Sequence, residues 1–248
     1  MAPAGSYSEH APPPAVASSI ACVWTRTVGS DAEGSVRVLP DACVDIVWQR
    51  GHGAFVAGPD TSPKLVAAEP GTVFAGVRFR PGAGGAALGL PLAELRDRRG
   101  ELAELDPRLA DRLDPDLLPG EAVRLLTGAA ARMARAGAPD PAVGEAARAL
   151  ASPATRVVPL AAALGLSERQ LRRRCEAAVG YGPKTLQRVL RFQTFLARLE
   201  ARGPTVELAE AALDAGYADQ AHLTRESARL AGLTPAALAR LRLAQAAT

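Results

Sequence analysis

At 248 residues the chain exceeds the usual size of one domain, and its 48% hydrophobic content is ample for globular cores, so we expect two domains. Its net charge of +3 is unevenly placed, because residues 155–248 hold 14 Lys and Arg against 8 Asp and Glu, whereas residues 1–154 hold 15 against 18. Three widely spaced cysteines do not suit a disulfide framework, and no apolar run is long enough to span a bilayer. These features predict a cytoplasmic protein with a nucleic-acid-binding C-terminal part.

The predicted N-terminal domain covers residues 19–136. Residues 1–18 are rich in Pro, Ala and Ser and lack the basic start of a signal peptide, which predicts a disordered leader. Short β-branched segments separated by turns then predict an antiparallel sheet or small barrel. The segments are SIACVWTRTV, SVRVLP, CVDIVW, AFVAG and TVFAGVRFR. After Pro81 the apolar residues recur at helical spacing, so helices follow the sheet.

Residues 137–141, with the sequence GAPDP, interrupt any helix and are the predicted linker. Residues 142–248 are predicted to form an all-α domain. Its expected helices, the first of which starts inside the linker, cover about 141–151, 158–164, 167–178, 183–202, 205–214, 219–230 and 235–244. The fold class is therefore α+β with two domains.

An internal repeat organises this last domain. A shift of 52 residues places Leu171 on Leu223, Gly180 on Gly232 and Pro183 on Pro235. These residues mark a helix core, a helix end and the start of the next helix. Each unit is predicted to be a helix-turn-helix, and the two units are joined by the helix 183–202.

Three consecutive arginines stand near the start of helix 167–178. With Ser167 as N-cap, Leu171, Cys175 and Ala178 face inward, while the outward face carries Arg169, Arg172 and Arg173. A guanidinium can pair with guanine in the major groove, as expected of a recognition helix. In the second unit the corresponding face of helix 219–230 carries Gln220, Thr224 and Arg225.

The connecting helix has a length suited to DNA. Its 20 residues span roughly 30 Å, which is close to the ~34 Å between successive major grooves on one face of B-DNA. The two recognition helices can therefore enter adjacent grooves. Lys184 and Arg188 are expected to contact phosphates, so their loss should weaken binding to all sequences alike.

The C-terminal part resembles the DNA-binding domain of AraC/XylS-type transcriptional regulators. The resemblance rests on LAEAALDAGYADQAHLTRESARLAGLTPAALAR, residues 208–240. The signature residues are Ala209, Ala212, Gly216, Tyr217, Leu223, Arg225, Gly232, Thr234 and Pro235. The resemblance implies that the six outward-facing residues already named contact bases. It also implies double-stranded DNA as a partner. Residues 19–136 resemble, less specifically, a sensor-like domain, which implies a signal or small-molecule effector at residues that the sequence does not identify. A second copy of the chain and RNA polymerase are further candidate partners.

Other chemistry has weaker support. Cys43, Asp45 and His52 could be drawn together as a metal site, but three Cys and three His fall short of a spaced four-ligand set, so no metal and no cofactor are expected. No G-x-S-x-G or phosphate-loop motif occurs, and no catalytic residues are predicted. Arg78 and Arg80 share a strand face, which suits either ion pairs with nearby aspartates or an anionic effector. The alternative function is a DNA-repair alkyl acceptor with a reactive cysteine, and Cys43 is the candidate nucleophile.

Overall fold

The computed structural model describes residues 5–29, 34–202 and 207–246. The strands are β1 Ser6–His10, β2 Ile20–Thr27, β3 Ser35–Val38, β4 Val44–Gln49, β5 Gly53–Ala57, β6 Lys64–Ala67, β7 Val73–Phe79 and β8 Arg99–Glu101. The helices are α1 Gly84–Leu88, α2 Leu102–Leu105, α3 Pro107–Arg112, α4 Pro119–Ala136, α5 Pro141–Leu150, α6 Val157–Ala163, α7 Glu168–Val179, α8 Pro183–Arg202, α9 Leu208–Asp214, α10 Gln220–Ala231 and α11 Pro235–Ala246. Among the described residues no helix is long and apolar enough to cross a membrane.

The N-terminal domain is built on a six-stranded antiparallel sheet of order β1-β2-β7-β4-β5-β8. Side chains alternate between its faces, so Val44, Ile46 and Trp48 of β4 join the core formed with α4, where Leu126 is fully buried. The opposite face packs against the ribbon of β3 and β6. This confirms the predicted antiparallel domain followed by helices.

The start of the chain corrects one prediction. Residues 1–18 were expected to be disordered, but β1 pairs with β2 in an antiparallel register from Ser6↔Thr27 to His10↔Val23. Glu9 of β1 lies 3.6 Å from Arg78. Composition could not reveal this strand, because its order comes from pairing with a sheet edge that is distant in sequence. Residues 1–4 lie outside the described residues.

A network of charged groups ties the strands together on the β3–β6 side of the sheet. Arg78 lies 3.1 Å from Asp45 and 3.3 Å from Asp41, and Asp45 also accepts a hydrogen bond of 3.0 Å from Trp24. The ion-pair interpretation of Arg78 is therefore confirmed. Arg80 instead donates to the carbonyl of Ala17 at 2.7 Å.

Seven helices, α5 to α11, form the C-terminal domain within the described residues, close to the predicted ranges. The long helix α8 runs from Pro183 to Arg202 as predicted, and its Leu186, Val189, Phe192 and Phe195 are fully buried in the core of this domain. The helix predicted over 205–214 begins at Leu208, while 203–206 lie outside the described residues.

The junction between the domains follows the proline pattern. Helix α4 ends at Ala136, and α5 starts at Pro141 behind an Asp140 N-cap whose carboxylate accepts the Ala142 N–H at 2.9 Å. Ala42 also packs into the core of the C-terminal domain, so residues next to β4 contact both domains.

Candidate nucleic-acid interface

The two repeats form the same helix-turn-helix geometry. In the first unit, α6 and α7 are joined by a turn in which the Leu166 N–H donates to Ala161 O at 2.9 Å. In the second, α9 and α10 are joined by a turn in which the Tyr217 N–H donates to Ala212 O, also at 2.9 Å. Gly216 has a φ of +82°, which only glycine adopts without strain. The repeat seen in the sequence is therefore a structural repeat.

Each recognition helix begins at a residue whose side chain caps the helix N-terminus. Ser167 caps α7, because its hydroxyl accepts the Gln170 N–H at 3.3 Å while the Gln170 side chain accepts the Ser167 N–H at 2.8 Å. Asp219 caps α10 by accepting the His222 N–H at 2.6 Å. The predicted Ser167 cap is confirmed. These caps determine where each helix begins and so which side chains stand in its first turns.

Helix α7 turns its arginines outward. Leu171, Cys175 and Val179 are fully buried, and the predicted Ala178 is partly buried and packs against the same core, so the predicted inward face is confirmed and extends to Val179. The residues predicted to face bases, Arg169, Arg172 and Arg173, are all exposed.

The arginines of α7 differ in their partners. Arg172 donates to Glu176 at 2.8 Å, and Arg174 lies 3.3 Å from Asp140. Arg169 and Arg173 make no ion pair with any described residue. Two guanidiniums on this face are thus unpaired, and a third is held by a neighbouring carboxylate.

Helix α10 presents a smaller and more mixed face. Gln220 and Arg225 are exposed, whereas Thr224 is partly buried and its hydroxyl donates to Gln220 O at 2.8 Å. Arg225 occupies the position that the repeat matches to Arg173, and it too has no ion pair among the described residues. The inward face includes Ser227, whose buried hydroxyl donates to Leu233 O at 2.8 Å.

Comparison with known proteins matches two separate segments of the chain to domain models. Residues 160–241 match a helix-turn-helix domain, and residues 8–101 match DUF6597, a domain of unknown function. Residues 160–241 are an AraC-type DNA-binding domain. No curated protein matches it significantly.

Solved structures similar to this chain include ToxT from Vibrio cholerae. A lysine variant of apo ToxT from strain SCE256 is 11% identical, with 88% of this chain and 96% of that one covered at a TM-score of 0.48. Wild-type ToxT from the same strain, described as unsaturated fatty acid bound, is 10% identical, with 83% and 93% covered at a TM-score of 0.45. At these values the likeness carries no argument, and the assignment rests on the matched domain and its geometry.

The two residues expected at phosphates have different surroundings in the structure. Lys184, in the first turn of α8, is exposed and makes no ion pair among the described residues. Arg188 makes two hydrogen bonds of 2.8 Å to Glu226 of α10, and both side chains are mostly buried. Its charge is already matched, so Arg188 joins α8 to the second recognition helix, a role that the sequence did not reveal.

The N-terminal domain contacts the C-terminal end of both recognition helices. Arg37 of β3 donates to Ala231 O, at the end of α10, at 3.0 Å. Gly180 ends α7 against the loop residues Pro59 and Leu92, so closely that a Cβ at Gly180 would lie 2.5 Å from Pro59 Cγ. In addition, the Gln193 amide of α8 donates to Pro40 O at 2.6 Å. The sequence carried no signal for these contacts, because the partners are far apart along the chain.

The three cysteines of the chain are free, and their surroundings disfavour the thiolate form. Burial raises the pKa of Cys22 to about 12 and that of Cys175 to about 11. Burial, followed by the Asp41 carboxylate, raises the pKa of Cys43 well above its ordinary value. A nucleophilic cysteine needs the opposite environment. Within the described ranges, no group of three or more His, Cys, Asp and Glu is placed to hold a metal.

Proposed function

We propose that the regulator reads two adjacent major grooves of one DNA duplex with the N-terminal turns of α7 and α10. The observation that carries this proposal is the pair of capped recognition helices, which expose polar and cationic side chains and are connected by α8. Since α8 has 20 residues, it spans roughly 30 Å, near the ~34 Å between grooves.

The exposed residues suit different bases. Arg169, Arg172 and Arg173 carry guanidiniums that pair with guanine O6 and N7, and Glu176 orients the one on Arg172. On α10, Gln220 suits adenine and Arg225 suits guanine, while Thr224 can touch a thymine methyl. Lys184 is proposed at a phosphate, whereas Arg188 is set aside because Glu226 neutralises it.

The decisive experiment begins by selecting bound duplexes from a random pool with the full chain. Affinities of Arg172→Ala and Arg173→Ala for the selected site and its single-base variants are then measured. Each change should cost roughly 1–3 kcal/mol and relax preference at one base pair. Arg174→Ala is the matched control, since Asp140 already holds Arg174. An equal loss of affinity for every sequence, with base preference intact, would show that the arginines contribute only non-specific electrostatic attraction to DNA.

We further propose that a signal or small-molecule effector at residues 19–136 modulates DNA binding. The contacts of Arg37 and Pro59 with the ends of α10 and α7 support this, because a shift of strand β3 or of the loop after β5 would reach a recognition helix. Comparing DNA affinity of the full chain with that of residues 142–248 tests it, and equal affinities would argue against coupling. A cytoplasmic location, a homodimer and contact with RNA polymerase stay predictions.

The alkyl-acceptor alternative gains no support. Its chemistry needs an activated thiolate, and Cys43 has a raised pKa beside Asp41. We propose that the chain is a regulator without catalytic activity. Incubation with methylated DNA should leave Cys43 unmodified, and stoichiometric methyl transfer to it would revive the alternative.

A further inference from the structure

A pocket of about 650 Å³, lined by both charged and apolar side chains, lies between the first helix-turn-helix unit and α8. Its wall includes Pro153 and Arg156 before α6 and Glu168 at the start of α7. Lys184, Gln187 and Arg191 line it from α8, where they are spaced to share one face. No residue of the pocket other than Lys184 was singled out by the sequence motifs.

Arg191 is a preorganised cation in this pocket. Its guanidinium carbon lies 5.6 Å from the centroid of the Tyr217 ring, which fixes the side chain by a cation–π contact. Its Nε is buried and has no hydrogen-bond partner among the described residues, and the Tyr217 hydroxyl is in the same condition. Gln187 is held differently, because its amide donates to Thr155 O at 2.7 Å. The charge of Arg191 is thus positioned but unmatched.

The balance of charge in the pocket is positive. Arg156, Lys184 and Arg191 supply three cations against the single carboxylate of Glu168. None of the three cations makes an ion pair with another described residue, in contrast to Arg188 on the same helix, which Glu226 neutralises. Three unmatched cations around one opening favour an anion.

The position of the pocket indicates which anion. Pro153 packs against Gly216 in the turn of the second unit, so the pocket lies where the two units meet. In a helix-turn-helix the first helix crosses the DNA backbone while the recognition helix enters the groove. A duplex read in two successive major grooves must pass its intervening backbone between the two units.

We propose that this pocket holds a phosphate of the DNA backbone between the two grooves, bound by Arg156, Lys184 and Arg191. This inference rests on the proposed DNA-reading function and adds to it a central anchor that sets the register of both recognition helices. Glu168 at the rim opposes the anion, so neutralising it strengthens binding.

The test uses the full chain with Arg156→Ala and Lys184→Ala, whose side chains are exposed. Arg191→Gln and the charge-preserving Arg191→Lys are added, with thermal melting to verify folding. Arg132→Ala, an exposed arginine on α4, is the matched control. Each charge-removing pocket variant should lower affinity for the selected site and for random duplex alike, and reduce the salt slope by about one. Glu168→Gln should raise affinity for both duplexes.

Duplexes carrying one neutral methylphosphonate at successive positions locate the contact. A methylphosphonate at one position between the two grooves should lower the affinity of the wild-type chain but cause no further loss of affinity in Lys184→Ala. If the pocket variants have the same DNA affinity and salt slope as Arg132→Ala, while Arg172→Ala still loses base preference, the pocket assignment is overturned. The proposed reading of DNA then stays intact. A wild-type chain that binds no duplex would overturn the proposed function itself.

A free anion such as inorganic phosphate could occupy the same cationic pocket in place of a DNA phosphate. Inorganic phosphate should displace DNA no better than chloride at equal ionic strength. Specific displacement by phosphate that Lys184→Ala abolishes would overturn the backbone assignment in favour of a free anion.

Discussion

Arg37 Nη1 donates a hydrogen bond of 3.0 Å to the backbone carbonyl of Ala231, a residue 194 positions later in the chain. The contact joins strand β3 of the N-terminal domain to the last residue of the second recognition helix. A cation at a helix C-terminus interacts favourably with the helix dipole. Since Ala231 is fully buried, little water can replace Arg37 at this carbonyl.

Removal of this contact is expected to loosen the two domains. Arg37→Ala should lower the free energy of unfolding by roughly 1.5–3 kcal/mol, the typical net contribution of a hydrogen bond that involves a charged group. Urea unfolding measures it, and Arg50→Ala, an exposed arginine on the same domain, is the control. Equal midpoints for the two variants would show that the contact contributes nothing.

Arg188 and Lys184 should separate cleanly in their effects on stability and on salt dependence. Arg188→Ala breaks a bidentate pair with Glu226 and should cost roughly 1.5–3 kcal/mol of stability, while the slope of affinity against salt stays unchanged. Lys184→Ala should leave stability unchanged and lower the slope. Urea unfolding and DNA titrations at several salt concentrations give both quantities. A reduced slope of affinity against salt for Arg188→Ala would mean that, in the wild-type complex with DNA, Arg188 leaves Glu226 and binds a phosphate.

The buried thiol of Cys175 predicts how stability changes in alkaline solution. Burial raises its pKa from 9.0 to about 11, so the folded state holds the proton more tightly than the unfolded chain. The tightly held proton of Cys175 stabilises the folded state fully below pH 9, and this stabilisation is lost as the pH rises through about 11. Unfolding midpoints between pH 8 and 11 should therefore fall more steeply for the wild type than for Cys175→Ala. Parallel curves would contradict the raised pKa.

The residues around 137–141 predict where a protease separates the domains. Prolines and a glycine occupy this segment between α4 and α5, and the buried cores on its two sides are largely distinct. Limited proteolysis should release a folded helical fragment near 142–248 that binds duplex with steep salt dependence. Cleavage should be faster in Arg37→Ala. A chain that resists cleavage there, or a fragment that unfolds, would indicate one fused domain.

Much of the C-terminal domain could be predicted because its signals are local. The prolines at 183 and 235, the glycines at 180 and 232 and the Ser167 cap mark helix ends through backbone geometry and hydrogen bonds a few residues long. Helical periodicity separated the buried Leu171 from the exposed Arg173. The N-terminal strands were predicted less completely, since β1 and β8 owe their order to partner strands distant in sequence.

The sequence by itself thus determined the two helix-turn-helix units, their separation along α8 and the arginines on the outer face of α7, because periodicity and capping act within one helix. Only the tertiary structure decided that Glu226 neutralises Arg188, that Tyr217 holds the unpaired Arg191, and that Arg37 reaches Ala231. The physical reason is that a cation binds whichever carboxylate, ring or carbonyl the packing of distant segments places within a few ångströms, and residue spacing carries no record of that distance.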